Sequence, residues 1–199
     1  MVRFIEVLLE LDYAVYAVDL PAHGKSKGFQ ISWNDSIKTV LDVQSIFGEF
    51  DVALGHSLGG TAILGALSLA DYLPEFDSLF KTKKIALVAS PTRMQTIVDK
   101  FSIYLNLTDK QRLIFAKKIK EITKIDFNIL DAKKLQIDKP IDIEFLCTHG
   151  TADEVIPFKD SVHFSELENV QHVPIEGEGH VHILYNETVL SEISEFFKE

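Results

Sequence analysis

The sequence is short of cysteine, of positive charge and of long apolar runs, and each shortage excludes a class of protein. Cys147 is the only cysteine among 199 residues, which excludes an internal disulfide and a cysteine-rich metal site. Lys and Arg number 20 against 30 Asp and Glu, so the formal net charge is −10. Binding to nucleic acid or to an anionic membrane needs a basic face, and we expect neither partner.

No stretch of the chain is long and apolar enough to predict a membrane span. The longest weakly polar run, TAILGALSLA, has about half of the ~20 residues that a span requires, so we expect a buried helix there. The apolar N-terminus carries Glu6 and Glu10 at helical spacing, which the core of a signal peptide would not tolerate. We therefore predict an amphipathic N-terminal helix and a cytoplasmic protein.

Short strand-like runs alternate with helical patterns along the chain. The predicted strands cover residues 13–20, 51–55, 84–90, 143–149 and 170–176. The predicted helices cover residues 33–48, 58–71, 109–123, 159–167 and 186–198, with a possible cap at Ser32 and a capping box from Thr108 to Gln111. This alternation is typical of an α/β fold, a mostly parallel sheet of about five strands covered by helices on both faces.

We expect a single domain over residues 1–199, because no repeat or linker divides the chain. The longest interval without a strand signal, residues 91–139, is interpreted as an inserted helical cap. From Arg93 to Lys134 this segment has ten basic and five acidic residues, against a strongly acidic remainder. The excess could attract an anionic substrate or belong to a solvated helix face. The cap's larger apolar residues line an acyl pocket or hold the cap down; they are Phe101, Ile103, Tyr104, Leu105, Leu113, Ile114 and Phe115.

The most specific local pattern is Gly55-His56-Ser57-Leu58-Gly59, which follows a predicted strand and precedes a predicted helix. A serine on a sharp strand-to-helix turn leaves no room for side chains two residues before and after it. The spacing therefore indicates that Ser57 is a nucleophile, although a serine at this place can also serve as a helix N-cap.

A serine nucleophile needs a base, and the base needs a carboxylate to orient it. Asp153 follows the fourth predicted strand, and His180 follows the fifth. The chain order Ser, Asp, His is the one expected when three loops follow successive strands of such a sheet. Glu154 is the alternative acid and His182 the alternative base. The remaining histidines, His23, His56, His149, His163 and His172, are interpreted as structural, and no pair of them predicts a metal site.

With these motifs in place, the chain resembles the α/β-hydrolases, a superfamily that includes esterases and lipases with small helical caps. The resemblance rests on DLPAHGKSKG, GHSLGG, HGTADEVIP and GEGH, in that order. It implies Ser57 as nucleophile, Asp153 as acid, His180 as base and the Leu58 backbone N–H as one oxyanion donor, with no cofactor. Ala22 departs from the family, which often has glycine at that place.

The expected function is hydrolysis of a carboxylic ester or related acyl compound, a small molecule, through an acyl-enzyme. The alternatives are an acyltransferase or thioesterase with the same triad, and a ligand-binding relative or inactive fragment without turnover. The resemblance also implies a second oxyanion donor from a His-Gly loop after a third strand, and neither has a counterpart here. We therefore expect that Met1 is an internal start or the chain a fragment, leaving a gap beside residues 13–20 or forcing that segment against the next strand.

Overall fold

A computed structural model describes residues 1–68, 79–123, 131–138 and 142–198. The four strands among them are β1 (Val52–His56), β2 (Lys84–Val88), β3 (Glu144–Gly150) and β4 (Val170–Ile175). The α-helices are α1 (Val2–Glu10), α2 (Trp33–Phe47), α3 (Leu58–Ser68), α4 (Met94–Tyr104), α5 (Asp109–Thr123), α6 (Ala132–Asp138), α7 (Lys159–Phe164) and α8 (Glu187–Lys198). A short 3₁₀ helix covers His182–Tyr185.

The four strands form one parallel sheet in the order β1-β2-β3-β4. In the pairing register Gly55 lies beside Leu87, and Leu87 beside Cys147. Because every strand runs the same way, the carboxyl ends of all four meet at one edge, where the loops after β1, β3 and β4 converge.

Helices cover both faces of the sheet, and the two cores follow the alternation of side chains along each strand. Ile85 and Leu87 of β2 point into a core shared with α2 and α3, whereas Ala86 and Val88 point into a core shared with α1 and α8. Burial on both faces explains why the strands read as apolar runs rather than as alternating patterns. Cys147 is fully buried in the first core, where burial raises the pKa of its thiol to about 12.

The elements predicted from residue 33 onward match the structure closely. The one prediction that is wrong lies before them in the chain. The segment of residues 13–20 was expected to be a strand, but it forms no ladder, so the sheet has four strands among the described residues instead of about five. Its side chains still point alternately to the two faces of the molecule. The Tyr13 hydroxyl donates to the Phe197 carbonyl of α8 at 2.9 Å, and the Tyr16 ring centroid lies 4.4 Å from that of Phe47 in α2. The segment contacts the flanking helices without pairing with the backbone of β1, and it does not close against that strand.

The cap predicted at Ser32 and the capping box predicted from Thr108 to Gln111 are both present, and the one at Ser32 is also a full capping box. The Ser32 hydroxyl accepts the Asp35 N–H at 3.1 Å, and the Asp35 carboxylate accepts the Ser32 N–H at 3.1 Å. Ahead of α5, the Gln111 amide oxygen accepts the Thr108 N–H at 2.9 Å. The end of the helix predicted over residues 58–71 lies partly outside the described residues; α3 is described as far as Ser68.

The interval predicted as a cap carries α4, α5 and α6, and we call these three helices the helical insertion as a label only, because their division from the rest of the chain stays a prediction. Its large apolar residues separate into two groups. Phe115 is partly buried and packs on the core beside Ala116 and Ile119. The other six are exposed, which favours neither an acyl pocket nor anchoring for them: Phe101, Ile103, Tyr104, Leu105, Leu113 and Ile114.

Candidate active site

Ser57 lies at the turn between β1 and α3, in a conformation that side chains rarely adopt. Its φ is +52°, in the left-handed region, and its N–H donates to the Val88 carbonyl of the neighbouring strand at 3.1 Å. Such strain persists only where the surroundings enforce it, and it is concentrated at functional sites. The turn projects the serine hydroxyl from the carboxyl edge of the sheet.

The close packing of this turn requires glycine at two positions, one of which differs from expectation. A Cβ at Gly55 would lie 2.4 Å from the Gly60 nitrogen, and one at Gly60 would lie 2.1 Å from the Ser90 hydroxyl oxygen. At Gly59 a Cβ would meet no atom within 4 Å, so the expected crowding two residues after Ser57 is wrong. The space is restricted one residue later, because Gly60 is the residue of α3 that packs against the end of β2.

The structure brings Ser57, His180 and Asp153 into one chain of hydrogen bonds. The Ser57 hydroxyl lies 2.9 Å from His180 Nε2, and His180 Nδ1 lies 2.8 Å from Asp153 Oδ2. In this arrangement the serine donates to Nε2, and the imidazole donates its Nδ1 hydrogen to the carboxylate. The His180 side chain is 12% exposed and that of Asp153 is fully buried, so water competes little with either bond.

The carboxylate of Asp153 accepts three hydrogen bonds and lies against the ring of His149. Oδ1 accepts the backbone N–H groups of Val155 at 2.8 Å and Ile156 at 2.7 Å, while Oδ2 faces His180 Nδ1 and His149 Nε2. Burial alone would raise the pKa of Asp153. The hydrogen bonds from His149, His180 and Ile156 outweigh that effect and hold the pKa of this carboxyl well below its usual range. The carboxylate is therefore ionised at any pH near neutrality.

The alternative acid and base lie away from this chain of bonds. Glu154 is exposed, and its backbone carbonyl accepts a hydrogen bond from the Lys100 ammonium. His182 is exposed at the start of the 3₁₀ helix. The geometry thus favours Asp153 and His180 over their neighbours.

Two histidines that the sequence suggested to be structural lie inside the site. His56 Nε2 lies 2.9 Å from the His180 carbonyl, and the two rings are 4.9 Å apart. Burial lowers the pKa of His56, which favours the neutral ring. His149 lies against Asp153. The sequence did not indicate His56 because its contact is with His180, which is distant in the chain. It did not indicate His149 because residue spacing does not reveal the shape of the turn that carries Asp153. The one local signal is the pair His149-Gly150, which ends three residues before Asp153.

The other two buried or half-buried histidines join structural elements. His163 Nε2 lies 2.9 Å from Asp131, linking α7 to the start of α6, and His172 Nε2 lies 3.0 Å from the Ser161 hydroxyl. Within the described ranges, no group of three or more His, Cys, Asp or Glu side chains is arranged to hold a metal ion.

Leu58 follows the nucleophile directly. It is the first residue of α3, so its backbone N–H has no acceptor within the helix.

A shallow apolar recess lies between α3 and the helices that follow β2, lined in part by Thr61, Leu64, Met94 and Leu135. None of the described helices has the length and apolar character to cross a membrane.

The fold and the site together define an α/β protein whose polar site residues gather at the carboxyl edge of a parallel sheet. The model of the alpha/beta hydrolase family matches residues 2–192. The chain belongs to this family.

Solved structures from three sources share the fold. An esterase from Pyrococcus furiosus is 19% identical, with a TM-score of 0.63 over 100% of this chain and 74% of its own. A monoacylglycerol lipase from Paleococcus ferrophilus is 18% identical, with a TM-score of 0.62 over 98% and 88%. Mouse alpha/beta hydrolase domain-containing protein 10 is 17% identical, with a TM-score of 0.66 over 98% and 80%. No curated protein matches the sequence.

Proposed function

We propose that this protein is a serine hydrolase that cleaves a carboxylic ester or related acyl compound through an acyl-enzyme. The observation that carries the proposal is the continuous bond chain from the Ser57 hydroxyl through His180 to the buried carboxylate of Asp153. The esterase and lipase among the structural neighbours support the same reaction class.

In the first half-reaction Ser57 Oγ attacks the carbonyl carbon of the substrate. His180 Nε2 accepts the serine proton as the new bond forms, and then donates it to the leaving alcohol as the tetrahedral intermediate collapses. The products are the free alcohol and an ester of Ser57. In the second half-reaction the same nitrogen deprotonates a water molecule that attacks the acyl group, and the proton returns to Ser57 as the acid leaves.

Asp153 keeps the imidazole in the tautomer and orientation that this cycle needs. Its ionised oxygen accepts the Nδ1 hydrogen of His180, which leaves the lone pair on Nε2 facing Ser57. The same negative charge stabilises the imidazolium that forms when the proton is transferred. Because Asp153 is buried, this stabilisation acts in a medium of low dielectric constant and is stronger than it would be in water.

The Leu58 N–H is the proposed oxyanion donor. It belongs to the residue after the nucleophile and has no intrahelical acceptor, so it is available for the negative oxygen of the tetrahedral intermediate. All the proton transfers use side chains of this chain, so the proposed reaction needs no metal or cofactor.

The test is a screen of p-nitrophenyl esters and acyl thioesters of varied chain length, with wild-type protein and Ser57→Ala side by side. We expect ester hydrolysis by the wild type and a loss of several orders of magnitude in kcat for the variant, as removal of a triad nucleophile produces. Equal turnover by the two proteins would refute the mechanism.

The same screen distinguishes the alternative functions. Selective cleavage of thioesters would indicate a thioesterase, and transfer of the acyl group to an added alcohol in preference to water would indicate an acyltransferase. Substrate binding without turnover in both the wild type and Ser57→Ala would indicate a ligand-binding relative.

A further inference from the structure

We propose that His149 is a positioning residue that acts through Asp153 on the proposed base, His180. The inference rests on the proposed hydrolase function and extends it to a residue outside the Ser57, His180 and Asp153 chain. His149 is the next-to-last residue of β3, and none of its surface is exposed. Its ring therefore has a fixed place immediately behind the turn that carries Asp153.

The geometry defines which ring nitrogen of His149 bears the hydrogen. Nε2 lies 3.1 Å from the Ile156 carbonyl oxygen and 3.2 Å from Asp153 Oδ2. Both oxygens are acceptors, so a bare nitrogen lone pair beside them would be repelled, whereas an N–H bonds the Ile156 carbonyl and is attracted by the carboxylate. Nδ1 is buried and has no partner within the described part of the chain. The hydrogen therefore belongs on Nε2, and the Nδ1 lone pair faces the interior.

This nitrogen and the imidazole of His180 face the same carboxylate oxygen. Asp153 Oδ2 accepts the His180 Nδ1 hydrogen at 2.8 Å, and His149 Nε2, which bonds the Ile156 carbonyl, lies 3.2 Å from the same oxygen. The other oxygen is already occupied by two backbone N–H groups. His149 is consequently the one side-chain N–H, apart from that of His180, that the described residues place beside this carboxylate.

One effect on the site follows from this contact. Rotation of the carboxylate would break its three hydrogen bonds and its contact with His149 Nε2. His149 thus helps to hold Oδ2 in the position that accepts the Nδ1 hydrogen of His180.

The surroundings of His149 provide a matched control. The Phe158 ring lies edge-on against His149, with ring centroids 5.9 Å apart. The same Phe158 ring also contacts His172, with centroids 5.6 Å apart. His172 is half-buried and bonds Ser161, so it shares the packing environment of His149 but not the contact with Asp153. The other titratable groups that face this side are His56 beside His180 and Lys100, whose ammonium bonds the Glu154 carbonyl.

The experiment compares His149→Phe, His149→Gln and His172→Phe for ester hydrolysis and for labelling by a fluorophosphonate, after thermal melts have established that each variant folds. Phenylalanine keeps the ring and removes the donor, while the glutamine amide restores an N–H. We expect His149→Phe to lower kcat by about 10- to 100-fold with little change in KM, the size found for outer-shell partners of reactive groups. His149→Gln should recover most of that loss, and His172→Phe should retain wild-type kcat.

A further measurement separates positioning from a merely structural role. In an Asp153→Ala background, which removes the carboxylate, His149→Phe should change the residual rate by less than about threefold, because coupled residues are not additive.

The outcomes distinguish this inference from the proposed function. Wild-type activity in His149→Phe, or an equal loss with and without the Asp153 carboxylate, would overturn the role of His149 while leaving the hydrolase intact. A wild-type protein that neither hydrolyses esters nor reacts with the fluorophosphonate would overturn both.

Discussion

The loop that carries Asp153 and the outer end of the helical insertion, where α4 ends and α5 begins, differ in how their side chains are surrounded. The polar side chain in the loop is buried and hydrogen-bonded, whereas large apolar side chains at the outer end are exposed to water. Asp153 accepts three hydrogen bonds, His149 Nε2 lies 3.2 Å from Oδ2, and the side chain has no contact with solvent. At the outer end of α4 and α5, Tyr104 is 81% exposed and Leu113 is 75% exposed, although both are large and apolar. One region is fixed by hydrogen bonds over a few residues, and the other leaves apolar surface in water.

The base of the insertion resembles the Asp153 loop more than it resembles its own outer end. Arg93 bonds the fully buried Asp160 of α7 at 2.7 Å, and the Thr96 hydroxyl reaches the same carboxylate oxygen at 3.0 Å. The Thr92 hydroxyl donates to the Asp160 carbonyl at 2.8 Å. The insertion is therefore anchored through buried polar groups where it leaves the sheet. We therefore expect mutations of buried polar contacts to change activity and the free energy of unfolding more than mutations of exposed apolar residues.

The largest effect is expected at the proposed base. His180→Ala should lower kcat for ester hydrolysis by several orders of magnitude, close to the loss in Ser57→Ala, because the two residues act as a unit. His182→Ala should retain substantial activity, since this ring is exposed and lies outside the bond chain. Steady-state kinetics of the two variants check the assignment, and the reverse ranking would transfer the role of base to His182.

A large effect on stability is expected at the base of the insertion. Arg93→Ala leaves the buried carboxylate of Asp160 without its cation and should lower the free energy of unfolding by about 3 kcal/mol. The control is Lys118→Ala, which breaks an exposed pair with Glu121 and should have no measurable effect. Urea unfolding of both variants measures the difference. Equal stability of the two would show that the Asp160 contacts do not anchor the insertion.

A smaller effect is expected on mild acidification. Burial lowers the pKa of both His56 and His172 in the folded protein. Below about pH 6.5 the unfolded chain therefore binds protons that the folded chain does not, so stability is complete above that pH and falls as the pH drops. We expect a loss of about 1 kcal/mol between pH 7 and pH 5. A His56→Gln, His172→Gln double variant should show a flatter pH dependence in urea unfolding, and an unchanged slope would contradict this cause.

The smallest effect is expected at the outer end of the insertion. Tyr104→Ala should change the free energy of unfolding by less than about 0.5 kcal/mol, as surface substitutions do. Phe115→Ala, which removes a ring that packs on the core, should cost about 1 kcal/mol. If thermal melts rank the two variants the other way round, the division between anchored and exposed apolar residues is wrong.

Local signals predicted most of the fold. The helix predicted over residues 109–123 has those bounds in the structure, because a capping box marks its start. The capping box at Ser32 likewise marks the start of α2. The strand expected over residues 13–20 is absent because a ladder requires a backbone partner, which composition does not supply. Pairing is a property of two segments, and periodicity describes only one.

The residues of the candidate site likewise fall into those that local sequence signals indicate and those that they do not. Ser57, Asp153 and His180 were predictable because each follows a strand end, and parallel strands bring their ends together. Gly60 and His56 were not predictable from the elbow pattern, since their contacts are with Ser90 and the His180 carbonyl, which lie far along the chain. Residues whose roles depend on distant contacts become visible only in three dimensions.

The central claim is that the hydroxyl of Ser57 is activated by His180 and Asp153. The most direct measurement is fluorophosphonate labelling of the wild-type protein, followed by peptide mapping by mass spectrometry. The account predicts one phosphonylated site, on the peptide that contains Ser57, formed much more slowly in His180→Ala and absent in Ser57→Ala. Labelling at another residue, or equal rates in the wild type and His180→Ala, would contradict it.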